Sequence, residues 1–174
     1  MEIWDLYDKN RTATGETAVR GGKLAADRYR MVVHVCLFNA AGEMLIQHRQ
    51  PSKTQWPDRW DISVGGHVVS GETSSQGAER EVLEELGLRL DLDRRRPSLT
   101  VNFDTGFDDV YLVRTDHDIP DMTLQAEEVS AVRWASADAI FAMIDSGEFI
   151  PYHKSLIQLL FDMKDFMGMH QQEK

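Results

Sequence analysis

Residues 73–87 read "TSSQGAEREVLEELG", a stretch that marks both ends of a helix and loads one face of it with acid. Thr73 is a natural N-cap, and Gln76 three positions on completes a capping-box pattern. Gly87 stands where a helix commonly ends on a left-handed residue. Ala78, Val82 and Leu86 recur every fourth position and predict a buried stripe. Glu81, Glu84 and Glu85, at i, i+3 and i+4, then converge on the adjoining face. Like charges at this spacing repel by a few tenths of a kcal/mol per pair. A hard divalent cation removes that penalty: Mg²⁺ or Mn²⁺ takes oxygen ligands and keeps room for waters and substrate phosphates. The alternative reading is a merely solvated acidic face.

Other features bear on that choice. The upstream "SVGGHVVSGE" is a glycine-rich stretch that brings a backbone carbonyl within reach of the same ion. Glu72, which precedes the helix, and Arg80, about two turns along it, are expected to pair, pinning the loop to the helix. The net charge of -10 speaks against nucleic-acid polymers as partners, since phosphate backbones need a basic face. Small phosphorylated substrates remain compatible, because a bound metal reverses the local sign. The single cysteine, Cys36, excludes an intrachain disulfide and fits a reducing cytoplasm and a buried position. "MEIWDLYDKN" has neither the basic nor the apolar region of a signal peptide, and no apolar run reaches membrane-spanning length. Self-association as a homodimer stays open.

With 174 residues, one domain is expected. Residues 1–29, polar and broken by Gly15 and Gly21-Gly22, read as a hairpin-like extension docked on a domain of residues 30–170. Met31–Phe38 is a valine-rich run suited to a strand covered on both faces, with His34 in or near the core. "NAAG" turns the chain into a second strand, 43–49, and the two prolines of residues 50–59 make a loop. A short strand over 60–64 is expected to end at Gly65-Gly66. Further strands are predicted over 100–103, 110–114 and 131–134, and helices over 136–146 and 152–167. Helices then cover both faces of a mixed sheet.

Gly66, Glu72 and "REVLEELGL" (80–88), spaced as they are, match the signature of the Nudix hydrolases at every prescribed position, including apolar Val82 and Leu88. The resemblance implies an α/β/α sandwich with a mixed β-sheet, in which a loop–helix–loop holds the metal. Glu81, Glu84, Glu85 and the Gly65 carbonyl become its expected ligands, and Gly66, Glu72, Arg80 and Gly87 its structural residues. It also implies hydrolysis of a diphosphate linkage in a nucleoside diphosphate-linked or related small molecule. Water is the nucleophile and a carboxylate its base. Glu84 is the first candidate, with Glu81 also in the catalytic set; Asp109, Glu127 and Glu128 are the alternatives.

A second resemblance spans residues 1–165. "LFNAAGEMLIQHRQPSKTQWPDRWDISVGGH" is similar to type I isopentenyl diphosphate isomerases. It implies diphosphate contacts for Arg49 and Lys53, matches at Trp56, Pro57 and Trp60, and a metal-binding match at His67. Asp109 in "FDDV" is a shorter counterpart of an isomerase glutamate, and Trp56, Trp60, Phe103 and Phe107 are possible stacking surfaces. Departures weigh more. Gly65 stands where the isomerases carry their catalytic thiol, and "GGKLAADRYRM" holds none of their upstream histidine ligands. Moving a double bond needs a proton donor and acceptor on opposite faces, and glycine is neither. The chain is therefore expected to be an isomerase-like hydrolase; isomerase activity and non-catalytic binding of a phosphorylated ligand are the alternatives.

Overall fold

The computed structural model describes residues 2–168 and 170. An N-terminal hairpin, β1 (Ile3–Tyr7) and β2 (Ala13–Val19), precedes a seven-stranded sheet. The sheet comprises β3 (Arg30–Phe38), β4 (Met44–Arg49), β5 (Trp60–Ile62), β6 (Val64–His67), β7 (Leu99–Phe103), β8 (Gly106–Arg114) and β9 (Val129–Ala135). Helix α1 (Ser74–Leu86) follows β6, while α2 (Ala137–Ser146) and α3 (Lys154–Met163) close the chain. Among the described residues no helix is long and apolar enough to cross a membrane.

Pairing divides the sheet into two banks. β3 lies parallel to β8 from Arg30↔Gly106 to Phe38↔Arg114 and antiparallel to β6, and β7 pairs β8. β4 pairs β5 and β9, both antiparallel. Between the banks, β3 and β4 pair at Phe38↔Met44. Ser63 bridges them next: its hydroxyl accepts from Leu37 N at 2.8 Å and donates to the Leu45 carbonyl at 2.6 Å. That bond splits the strand expected over 60–64 into β5 and β6.

Alternation along β3 builds the layers. Met31, Val33, Val35 and Leu37 pack with Ala78, Val82 and Leu86 of α1. Cys36 and Phe38 pack with Ile140, Met143, Ile157 and Leu160 of α2 and α3. The result is the α/β/α sandwich with a mixed sheet. Thr73 and Gln76 form the capping box, and Gly87 ends α1 at φ 69°. A Cβ at Gly87 would also fall 2.9 Å from Thr123 Cβ, so its glycine is required twice over.

Gly65 and Gly66 are not a terminating turn. They continue β6 as extended residues because other groups occupy the space of their side chains. The N-terminal hairpin docks on the loop that follows. Ser70 N donates to the Ile3 carbonyl at 2.8 Å, and Asp5 accepts from the Ser70 hydroxyl and Gly71 N. Trp4, 5% exposed, stacks on His67 with centroids 4.5 Å apart and planes 10° from parallel.

Burial pushes the His67 imidazole down to about 4, with Arg20 and Arg30 adding to it. The unfolded chain therefore takes up this proton below about pH 6.5, while the folded chain resists it until about pH 4. The melting temperature should carry a component that falls as pH drops through that window. His67→Phe, which keeps the ring against Trp4, should remove this component in pH-resolved thermal melts. An unchanged pH profile in the variant would contradict this account of the docked hairpin.

Candidate active site

Arg80 organises the site because all five of its N–H donors are taken. Nε and Nη2 donate to the two oxygens of Glu72 at 2.8 and 3.1 Å, a bidentate pair. Nη2 also donates to the His67 carbonyl at 2.7 Å. Nη1 donates to Glu81 Oε1 at 2.9 Å and Glu84 Oε2 at 3.1 Å. One guanidinium thus fastens the helix to the strand and loop before it and partly neutralises three carboxylates. Its affinity for its own proton is raised by these anions against the opposing effect of burial.

The three glutamates of the acidic face occupy different environments. Glu81 lies against Gly66, where an added Cβ would fall 2.0 Å from the Glu81 carboxyl carbon. Burial raises its carboxyl, with Arg80 opposing. Glu85 is 6% exposed; Gln47, itself buried, donates to its Oε2 at 3.1 Å. Burial first, and then the charge of Glu81, push the Glu85 carboxyl up to about 8. Glu84 has half its side chain in solvent. Apart from the Arg80 contact at Oε2, it has no hydrogen bond among the described residues, so Oε1 is open to water.

A loop crosses the end of this helix. Thr123 N donates to the Leu86 carbonyl at 2.9 Å and Gln125 N to the Glu85 carbonyl at 3.0 Å. The loop brings Glu128 to Lys53, with which it forms a close ion pair. Arg49 pairs with Asp61 at 3.3 Å, and the Tyr152 hydroxyl donates to Asp61 at 2.8 Å. Both expected phosphate-binding cations are therefore held by carboxylates. Trp60 has its ring engaged, tilted against His48 at 4.9 Å with the Arg133 guanidinium 4.5 Å above it. Trp56 is exposed.

Asp109 and His67 are both engaged within the fold. Asp109 is fully buried, in an ion pair with Arg11 of the N-terminal extension, and it accepts from the Thr100 hydroxyl at 2.6 Å. The preceding residue, Asp108, points to the other face of β8 and accepts from His34. Alternation explains the exchange: in the parallel register Asp109 lies beside Val33 and Asp108 beside Val32. The His67 ring is stacked on Trp4. Gln47, Asp61, Tyr152 and the His34–Asp108 pair were not singled out as site residues. For Gln47, Asp61, His34 and Asp108 the signal is a polar residue within a strand, since a buried polar side chain needs a partner.

Among the described residues no group of three His, Cys, Asp or Glu side chains is gathered as a ready-made metal site. The donor chemistry nevertheless fits a hard divalent cation. Glu81 and Glu85 are held in a space where ionisation is disfavoured, Glu84 borders it, and Gly66 leaves room for the Glu81 carboxylate.

Comparison with known proteins agrees with the geometry. The NUDIX domain family matches residues 28–159. An uncharacterized Nudix hydrolase of Listeria innocua is 46% identical over 170 residues, covering 98% of this chain and 99% of its own length. A crystal structure of a Deinococcus radiodurans protein superposes with a TM-score of 0.71 at 29% identity, covering 91% of this chain and 97% of that one. An isopentenyl-diphosphate Delta-isomerase of Pectobacterium atrosepticum is 28% identical over 78% of this chain and 76% of its own. The chain belongs to the Nudix hydrolases, a pyrophosphohydrolase family, and is a distant relative of that isomerase.

Proposed function

We propose that the protein hydrolyses a diphosphate linkage in a nucleoside diphosphate-linked or related small molecule, using Mg²⁺ or Mn²⁺ held by Glu81, Glu84, Glu85 and the Gly65 carbonyl. The observation that carries this reading is the convergence of buried Glu85 and partly buried Glu81 on one helix face, where burial raises both carboxyls and a cation would favour their ionised forms. Nudix enzymes typically use divalent metals, and such an ion supplies neutralisation of phosphate charge and polarisation of the reacting phosphorus. The protein's own groups do the rest. Glu84, with Oε1 open to solvent, accepts the proton of the attacking water while Arg80 fixes its other oxygen. Arg49 and Lys53 bind phosphate oxygens by exchanging their present partners, Asp61 and Glu128, for the substrate. Released from Lys53, Glu128 stands beside the C-terminal end of α1 as the alternative base.

Release of phosphate-containing products from nucleoside diphosphate sugars, dinucleotides, nucleoside triphosphates and prenyl diphosphates tests the reading. Activity should require Mg²⁺ or Mn²⁺ and vanish with chelator. Glu84→Gln and Glu85→Gln should each lower turnover by at least about a hundredfold, the scale of losing a general base or a transition-state charge contact. Near wild-type turnover in both would remove α1 from the active site.

Stability gives a check independent of turnover. Because Glu85 keeps its proton up to about pH 8 when folded, against about 4.5 when unfolded, metal-free stability falls as pH rises through that window. Glu85→Gln should flatten the profile. At neutral pH it should leave the metal-free fold unchanged or more stable by ~0.2–1 kcal/mol. Added Mg²⁺ should raise the wild-type melting temperature more than that of the variant. Equal shifts in both would place the ion elsewhere.

Conversion of isopentenyl diphosphate to its dimethylallyl isomer should be absent, in the wild type and in Gly65→Cys. A Cβ at residue 65 falls 2.6 Å from His34 Cδ2, so the introduced thiol meets an imidazole rather than open space. Isomer detected by NMR with the unmodified protein would contradict the hydrolase reading.

A further inference from the structure

One polar pair is left over from this account. His34 lies on β3 directly opposite Gly65 of β6. Its Nδ1 faces both carboxylate oxygens of Asp108, at 2.9 and 2.8 Å, across the parallel β3–β8 pairing. Nε2 has no hydrogen bond among the described residues, and the imidazole is 22% exposed. The ring edge carrying Nε2 is the one turned to Gly65. A Cβ there would fall 2.7 Å from Nε2 and 2.6 Å from Cδ2. Any side chain at residue 65 and the imidazole therefore exclude each other. The absence of a side chain is what lets the ring stand beside this backbone.

The neighbourhood gives that ring something to bind. Gly66, the next residue, receives the Glu81 carboxylate on the opposite face of β6, and the Gly65 carbonyl is itself one of the proposed metal ligands. Asp61, near enough for its charge to favour the imidazolium, carries Arg49, one of the two cations assigned to phosphate. A carboxylate-held imidazole has its orientation set and one nitrogen left to present. A purely structural His–Asp pair would have no need of an open nitrogen facing a bare stretch of strand.

We propose that His34 is a substrate-contacting residue, its Nε2 hydrogen-bonding a phosphate oxygen of the diphosphate beside Gly65, with Asp108 as the positioning residue that aims it. This rests on the hydrolase reading above and adds a recognition group on β3 to those of α1, β4 and the 50–59 loop. It also accounts for Gly65, whose replacement by a larger residue would close the contact.

Methylenediphosphonate, a diphosphate that cannot be hydrolysed, is the probe, added with Mg²⁺ to the intact protein. Long-range ¹H–¹⁵N spectra of the imidazoles should show His34 Nδ1 bonded to hydrogen before addition and the Nε2 resonance moving as the probe binds. By calorimetry, His34→Gln and Asp108→Asn should each weaken the probe about tenfold or more, the scale of a hydrogen bond to a charged group. Their melting temperatures, measured alongside, should stay near wild type. Gly65→Ala should weaken the probe in the wild-type background and lose most of that effect in His34→Gln, because the clash is with the ring. An unmoved Nε2 resonance at saturating probe, with binding heat intact, overturns the contact and leaves the hydrolase reading standing. A variant that cannot fold leaves this spectroscopic readout of the wild type to decide. A wild type that neither binds the probe nor hydrolyses any diphosphate in the substrate panel overturns both.

Discussion

The Arg80 guanidinium is the interaction on which the site depends. Its five donors join Glu72, the His67 carbonyl, Glu81 and Glu84, so a single planar group sets the distance between β6 and α1. Lysine has three donors on one rotatable nitrogen and cannot reproduce that fork. The network also reduces the repulsion among the three clustered glutamates. Arg80 shields Glu81 and Glu84 from one another, and Glu85 is left to retain its proton. The acidic face is thus poised between two charge states rather than held in one.

Glycine supplies the second constraint. Gly65 and Gly66 lie in an extended strand, where glycine is ordinarily a weakness. Here each missing side chain is replaced by a functional group from elsewhere: the His34 imidazole at Gly65 and the Glu81 carboxylate at Gly66. The distant isomerase relationship becomes intelligible in these terms. The expected thiol position of the isomerases falls at Gly65, and in this chain the space beside it belongs to an imidazole backed by Asp108.

The N-terminal extension is tied to the same region at two points. Trp4 covers His67, whose carbonyl receives Arg80, and Arg11 neutralises the buried Asp109 on β8. Removing the partner of a buried charge is costly, because the charge is left unpaired. The extension therefore belongs to the energetics of the domain.

What the sequence determined by itself was local. Thr73, Gln76 and Gly87 delimit α1, Ala78, Val82 and Leu86 face the core, and Glu72 meets Arg80, because caps, helical period and eight-residue spacing depend on nearby backbone alone. The family followed from the same short stretch. Tertiary structure decided everything that depended on residues far apart in the chain. Three glutamates of equal standing became one buried carboxyl held by Gln47, one packed on Gly66 and one in solvent. Asp108 and Asp109 are adjacent and chemically identical, yet pleating sends one to His34 and the other to Arg11. No periodicity in the sequence distinguishes them, because the register of β3 against β8 joins residues more than seventy positions apart. That register, not composition, sets which carboxylate meets the imidazole and which is buried with the N-terminal arm.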